Sequence, residues 1–129
     1  MRRYLIFILL HLVSFSISAQ SVMAVLDTNS IELGEQTTLT ISLTYRVDGG
    51  EDVKTSFPEI GDTLADKIEV LKKSKIDTIS PDANDLFLFS QVQQITISSY
   101  DIGIYSIPAF EFSYNKEKLY TPVIPFEVR

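Results

Sequence analysis

The sequence predicts an all-β sandwich of about seven short strands, and three observations predict it. Polar and apolar residues alternate without error from Thr38 to Val47. No stretch sustains the 3.6-residue period of an amphipathic helix. Turn-forming Gly, Pro, Asp and Asn punctuate the chain between short apolar runs.

The first segment is set apart from the domain. Arg2 and Arg3 precede the apolar run "YLIFILLHLV", and "SFSISA" ends in small residues at Ser18 and Ala19. This is the pattern of a secretory signal peptide over residues 1–19, cleaved between Ala19 and Gln20. The alternative is a membrane anchor. The run is shorter than the roughly 20 residues of a spanning helix, and His11 and serines interrupt it. No cysteine follows, so a lipoprotein anchor is excluded. The domain is then residues 20–129, with no direct membrane span after the leader is removed.

Losing residues 1–19 takes two of eleven basic residues and none of seventeen acids. That leaves nine against seventeen, a net charge of −8. So acidic a chain does not neutralise phosphates, which argues against nucleic acid and against a polyanionic membrane surface. The only histidine, His11, goes with the leader, and the chain has no Cys or Trp. Stability therefore rests on an apolar core without disulfides.

Each element follows in turn. Residues 22–27 read as a short strand, and Gly34 supplies a turn. Residues 37–47 read as a longer strand with Leu39, Ile41, Leu43, Tyr45 and Val47 on one face. Residues 48–67 read as a long acidic loop with one helical turn at "DTLADK"; loops of this length are uncommon unless functional or mobile. Residues 67–80 and 85–99 read as a hairpin turning at "PDAN". In its second strand, Leu86, Leu88 and Val92 keep one phase and Ile95 and Ile97 the other. A β-bulge near Gln93–Gln94 would repair the slip; the alternative keeps one phase and turns Gln91 and Gln93 inward. Residues 104–114 and 119–129 read as a last hairpin. Pro122 and Pro125 cannot donate to a ladder, which makes the final strand an edge or one paired on a single side.

Asp101, Gly103 and Tyr105 stand two residues apart before the last hairpin. Asp-x-Gly-x-Tyr resembles the corner that leads into the penultimate strand of immunoglobulin-like domains. There the glycine adopts a conformation hindered for other residues, and the tyrosine hydroxyl turns back to upstream backbone. Where antibody domains carry a cysteine, two residues after the tyrosine, this chain has Ile107. An ordinary tight turn with Gly at positive φ is the plainer account.

"FPEIGDTLADKIEVLKKSKIDT" followed by "QQITISSYDIGIYSIPAFEF" resembles the N-terminal region of BatD-type proteins of the aerotolerance operons of Bacteroidetes. Phe57, Pro58, Asp62, Leu64, Ile68, Glu69, Val70, Leu71, the Gly103–Tyr105 corner and "IPAF" carry the likeness. The Ala19–Gln20 terminus is also usual in that phylum. The resemblance implies an exported, immunoglobulin-like, non-enzymatic protein of the periplasm or cell envelope of a Gram-negative bacterium. The usual member is longer and ends in a transmembrane helix, whereas this chain stops at Arg129.

Candidate chemistry is sparse. Cys–His or Ser–His catalysis, and imidazole- or thiolate-bound metals, need residues that 20–129 lack. Carboxylate pairs remain, but a domain this small offers little cleft, so no enzyme and no cofactor are expected. "DGGED" offers oxygens for a hard cation without the spacing of a calcium loop; a solvated acidic turn explains it better. "KKSK", residues 72–75, reads as a solvated strand end or as a patch for an acidic partner. Phe110, Phe112, Tyr114, Tyr120 and Phe126 read as core, or as a platform for a carbohydrate or surface ligand. Phe57, Pro58, Ile60 and Leu64, set among acids in the long loop, read as the interface core for an envelope protein, or as a cap on one end of the sandwich.

Overall fold

The computed structural model describes residues 20–48 and 52–129, and all their regular structure is β. Twelve strand segments occur among them: β1 Ser21–Leu26, β2 Ser30–Ile31, β3 Gln36–Arg46, β4 Thr55–Ser56, β5 Thr63–Ala65, β6 Ile68–Lys73, β7 Asp77–Ile79, β8 Leu88–Ser98, β9 Gly103–Ile107, β10 Glu111–Tyr114, β11 Glu117–Tyr120 and β12 Ile124–Val128. The expected leader, residues 1–19, lies outside the described residues.

β3 and β8 form the spine. They pair antiparallel without interruption from Gln36↔Ser98 to Arg46↔Leu88. The sheet runs β1-β3-β8-β6-β5, with β7 also on β8. Two three-stranded sheets, β11-β10-β4 and β2-β12-β9, complete the fold. The alternation of β3 becomes burial: Leu39, Ile41 and Leu43 are fully buried and Thr38, Thr40 and Ser42 half-buried. Ile68, Ile95, Ile97, Ile107, Phe112 and Phe126 close the core over them. Each such side chain contributes about 1.5–3 kcal/mol of burial free energy.

Several expectations are corrected. The bulge is not in β8, whose register against β3 never slips; it lies in β6, between Val70 and Lys72. β8 keeps one phase, so Gln91 stands opposite Leu43, and Gln93 opposite Ile41, on the core side. The amides are tolerated there because each finds a partner. Gln91 accepts from the Thr55 hydroxyl at 3.1 Å, and Gln93 donates to the Ser74 carbonyl at 3.0 Å.

The strand expected over residues 67–80 is two, β6 and β7. Between them the Ser74 hydroxyl takes the amide N–H of Gln94, and the Ser74 amide donates to the Gln94 carbonyl. The expected helical turn at "DTLADK" is instead a β5–β6 hairpin that turns beside Lys67, whose φ is 84°.

Both arms of the last hairpin break together. Pro108 and Pro122 lack the N–H a ladder needs, and β9 and β12 pass into β10 and β11. Phe110 and Thr121 bridge the gap: the Thr121 hydroxyl accepts the Phe110 amide at 2.7 Å, and the Thr121 amide reaches the Phe110 carbonyl. Asn115 and Lys116, both at positive φ, form the two-residue turn. The final strand is not an edge: β12 lies between β9 and β2. Pro125 is accommodated because β2 pairs only with Glu127 and Val128, beyond it.

Candidate functional site

Of the site expected around residues 48–67, the described stretch 52–67 is held by pairing and packing along its length. Asn115 pins its start, accepting the Lys54 amide with its side chain at 2.8 Å and donating its own amide to the Lys54 carbonyl. β4 then joins β10 through Ser56↔Ser113 and Thr55↔Tyr114. Phe57 meets the fully buried Phe112 edge-on, with ring centroids 4.8 Å apart and an interplanar angle of 82°, a favourable aromatic geometry. Ile60 is buried, and Leu64 packs half-buried against the core. The Lys73 ammonium donates to the Ile60 carbonyl at 2.6 Å. Phe57, Ile60 and Leu64 fold down onto the core, as a cap does.

Capping leaves a cleft beside the segment. A cavity of about 570 Å³ opens between residues 56–64 and residues 108–113. Half-buried Phe57, Pro58 and Leu64 supply its apolar surface over the buried Phe110 and Phe112, and Glu59, Glu111 and Lys118 supply charge. Lys118 and Glu111 form an ion pair at 3.2 Å, which raises the lysine's pKa above its ordinary value. A second opening of about 730 Å³ lies on the other flank of residues 58–61, against Lys73, Ser74, Lys75, Ile76 and Gln93. The residues 108–113 wall was missed in the sequence, where it counted as continuous strand. Its signal was Pro108, which ends β9 and lets Ala109 swing out to an exposed position.

The corner is a separate structure. The Tyr105 hydroxyl donates to the Asp101 carbonyl at 2.9 Å, and Ile107 is fully buried. Gly103 does not take a positive φ; among glycines of the described residues only Gly34 does. What Gly103 provides is room. A Cβ there would stand 3.2 Å from the Tyr105 hydroxyl oxygen and 3.3 Å from Cζ. Asp101 also forms an ion pair with Lys67 at 3.6 Å.

The remaining candidates fall elsewhere. Phe110, Phe112 and Phe126 are buried and Tyr114 is half-buried, so of the five aromatics only Tyr120 is exposed. They form no stacking platform. The "KKSK" run ends β6 and crosses into the β6–β7 break. Of the acidic turn at residues 48–52, residues 49–51 lie outside the described residues. At the far end of β3, Arg46 grips Asp85 through two hydrogen bonds, at 2.6 and 3.1 Å. This lowers the Asp85 pKa and raises that of Arg46. No helix among the described residues is long and apolar enough to cross a membrane. No family model matches the chain, and no curated protein matches it significantly.

Proposed function

We propose that this chain is an exported, non-catalytic, immunoglobulin-like interaction domain of the bacterial envelope. It binds a segment of another envelope protein in the cleft between residues 56–64 and 108–113. The observation that carries the reading is the cleft: half-buried Phe57, Pro58 and Leu64 set among the exposed charges of Glu59, Glu111 and Lys118, a small apolar floor inside a polar rim. Three further features support it. The leader pattern of residues 1–19 supports export. The Tyr105–Asp101 corner supports an immunoglobulin-like sandwich. The BatD-type resemblance supports the envelope and a role in aerotolerance or stress. Residues 20–129 carry neither His nor Cys, which fits binding better than covalent chemistry.

Photocrosslinking residues placed at Thr63 and Ala109, exposed on opposite walls, test the site in cells. Adducts should form from both and not from Asp82, which lies on a different turn. Ala109→Trp should fill the cleft and abolish the Thr63 adduct while leaving the thermal melt unchanged. Equal adducts from Asp82, or adducts indifferent to Ala109→Trp, would count against the cleft. Export is checked separately by intact mass, which should place the N-terminus near Gln20.

A further inference from the structure

Among the described residues every sheet end but β1 and β9 is blunted, and β9 is the shorter of the two and begins at Gly103. β2 and β4 have two residues each. β5 has three and an irregular register. β7 has three and carries Asp77. β11 presents Glu117 and Lys118. Short strands, irregular pairing and charge are the ordinary protections of an edge. β1 has none of them. It is six residues long, "SVMAVL", without charge, Pro or Gly, and it pairs with β3 in unbroken register from Ser21↔Thr44 to Leu26↔Leu39.

The pairing shows which backbone groups are free. The Asp27 amide donates to the Thr38 carbonyl at 3.0 Å, so Asp27 and Thr38 form a hydrogen-bonded pair of the antiparallel ladder. Such pairs alternate. Ser21, Met23 and Val25 therefore bond to β3, and the N–H and C=O groups of Val22, Ala24 and Leu26 point away from it. The outward side chains match this open edge: Met23 is 55% and Val25 48% exposed. Across the ladder they face Ser42 and Thr40, and beyond those Val92 and Gln94. These six positions bear no charge, and the next residue across the ladder from Val92 is Asp77. Asp27 lies beyond one end of β1, and Glu117 meets Gln20 at the other.

We propose that β1 is a self-association edge, on which two copies of this chain pair their β1 strands antiparallel about a two-fold axis through Met23. In that register Val22 and Ala24 of one copy exchange backbone bonds with Ala24 and Val22 of the other. The overlap runs over residues 20–26 and leaves Asp27 outside. A second copy is the occupant that fits on two counts. β1 is itself a strand of the required length, neutrality and pattern, so the interface is self-complementary, as a two-fold requires. The uncharged patch also avoids the like-charge contacts that an acidic chain, of net charge −6 over the full sequence, brings together elsewhere.

Sedimentation velocity of the purified protein over a concentration series tests this. A monomer–dimer equilibrium is expected. Ala24→Pro removes only an N–H that points away from β3, so the fold should survive and the dimer be lost. Met23→Lys places two ammonium groups at the axis, on an exposed position, and should also abolish the dimer. Thermal melts confirm that each variant is folded. A chain that is monomeric at every concentration overturns the proposal, as does a dimer that survives either substitution in a folded variant. The cleft is not involved, so its crosslinks should be the same in monomer and dimer.

Discussion

The ring of Tyr105 occupies the space that a side chain on Gly103 would need. A Cβ on Gly103 would lie 3.2 Å from the tyrosine hydroxyl, the same hydroxyl that donates to Asp101 at 2.9 Å. The glycine is thus selected by a neighbour two residues away, not by its own φ. Tyr105→Phe should cost about 1 kcal/mol, the net value of one hydrogen bond. Gly103→Val should cost about 1–2 kcal/mol by pushing the ring off the corner. In Gly103→Val/Tyr105→Ala the obstruction is gone, and the double variant should be more stable than the losses of Gly103→Val alone and Tyr105→Ala alone sum to. Urea denaturation of the four proteins checks this; strict additivity would show that the two residues do not meet.

Phe57→Ala should destabilise the protein by about 2–3 kcal/mol, below the 3–5 kcal/mol of a fully buried Phe because Phe57 is half-exposed. The loss comes from the edge-on contact with Phe112 and the space left beneath residues 58–61. Phe57→Leu should recover more than half of it. Denaturant midpoints measure both. A stable Phe57→Ala would remove the cap from the account of this loop.

Gln91→Leu should cost about 1 kcal/mol because it strands the Thr55 hydroxyl that donates to it. Gln91→Leu/Thr55→Val removes both partners and should return to wild-type stability or above. A double variant as unstable as the single would mean that the Gln91 amide matters for another reason.

The Arg46–Asp85 pair makes a pH prediction. The guanidinium holds the Asp85 carboxylate below the ordinary carboxylate range. Its stabilisation is therefore present above the unfolded Asp pKa of about 4, and is lost as pH falls through the lower folded value. Asp85→Asn should be less stable than wild type at neutral pH, and the gap should close on acidification below about pH 4. The pair is partly exposed, so added salt should also narrow the gap. Denaturation at neutral and acid pH, with and without salt, reads all three.

Period-two patterning made β3 legible to within a residue of its ends, because a strand with one buried face leaves its alternation in the sequence. β8 was misjudged for the same reason. Gln91 and Gln93 on a core face look like an error of phase, and only Thr55 and Ser74, distant in sequence, explain them. The corner residues were legible as a motif but not in their physics, since the Gly103 constraint comes from packing and not from φ. Half of the cleft was legible, as the apolar residues of the loop. The other half appears only when β9 and β10 part at residues 108–110, where Pro108 carried a signal that continuous β-propensity masked.

The pairing of β2 with β12 joins Ile31 to Val128 and Ser30 to Glu127, positions near opposite ends of the domain. β3 likewise waits for β8, with Gln36 opposite Ser98. Such pairings carry a large loop-closure entropy before any contact offsets it, and folding is slow for that reason. A chain that emerges from a ribosome N-terminus first has only β1 and β3 able to zip early. The sheet that holds Phe126 and Val128 in the core cannot close until the last strand has arrived. In the interval the uncharged β1 edge and the unfilled core are both open to other chains, so closure of the core waits on β12.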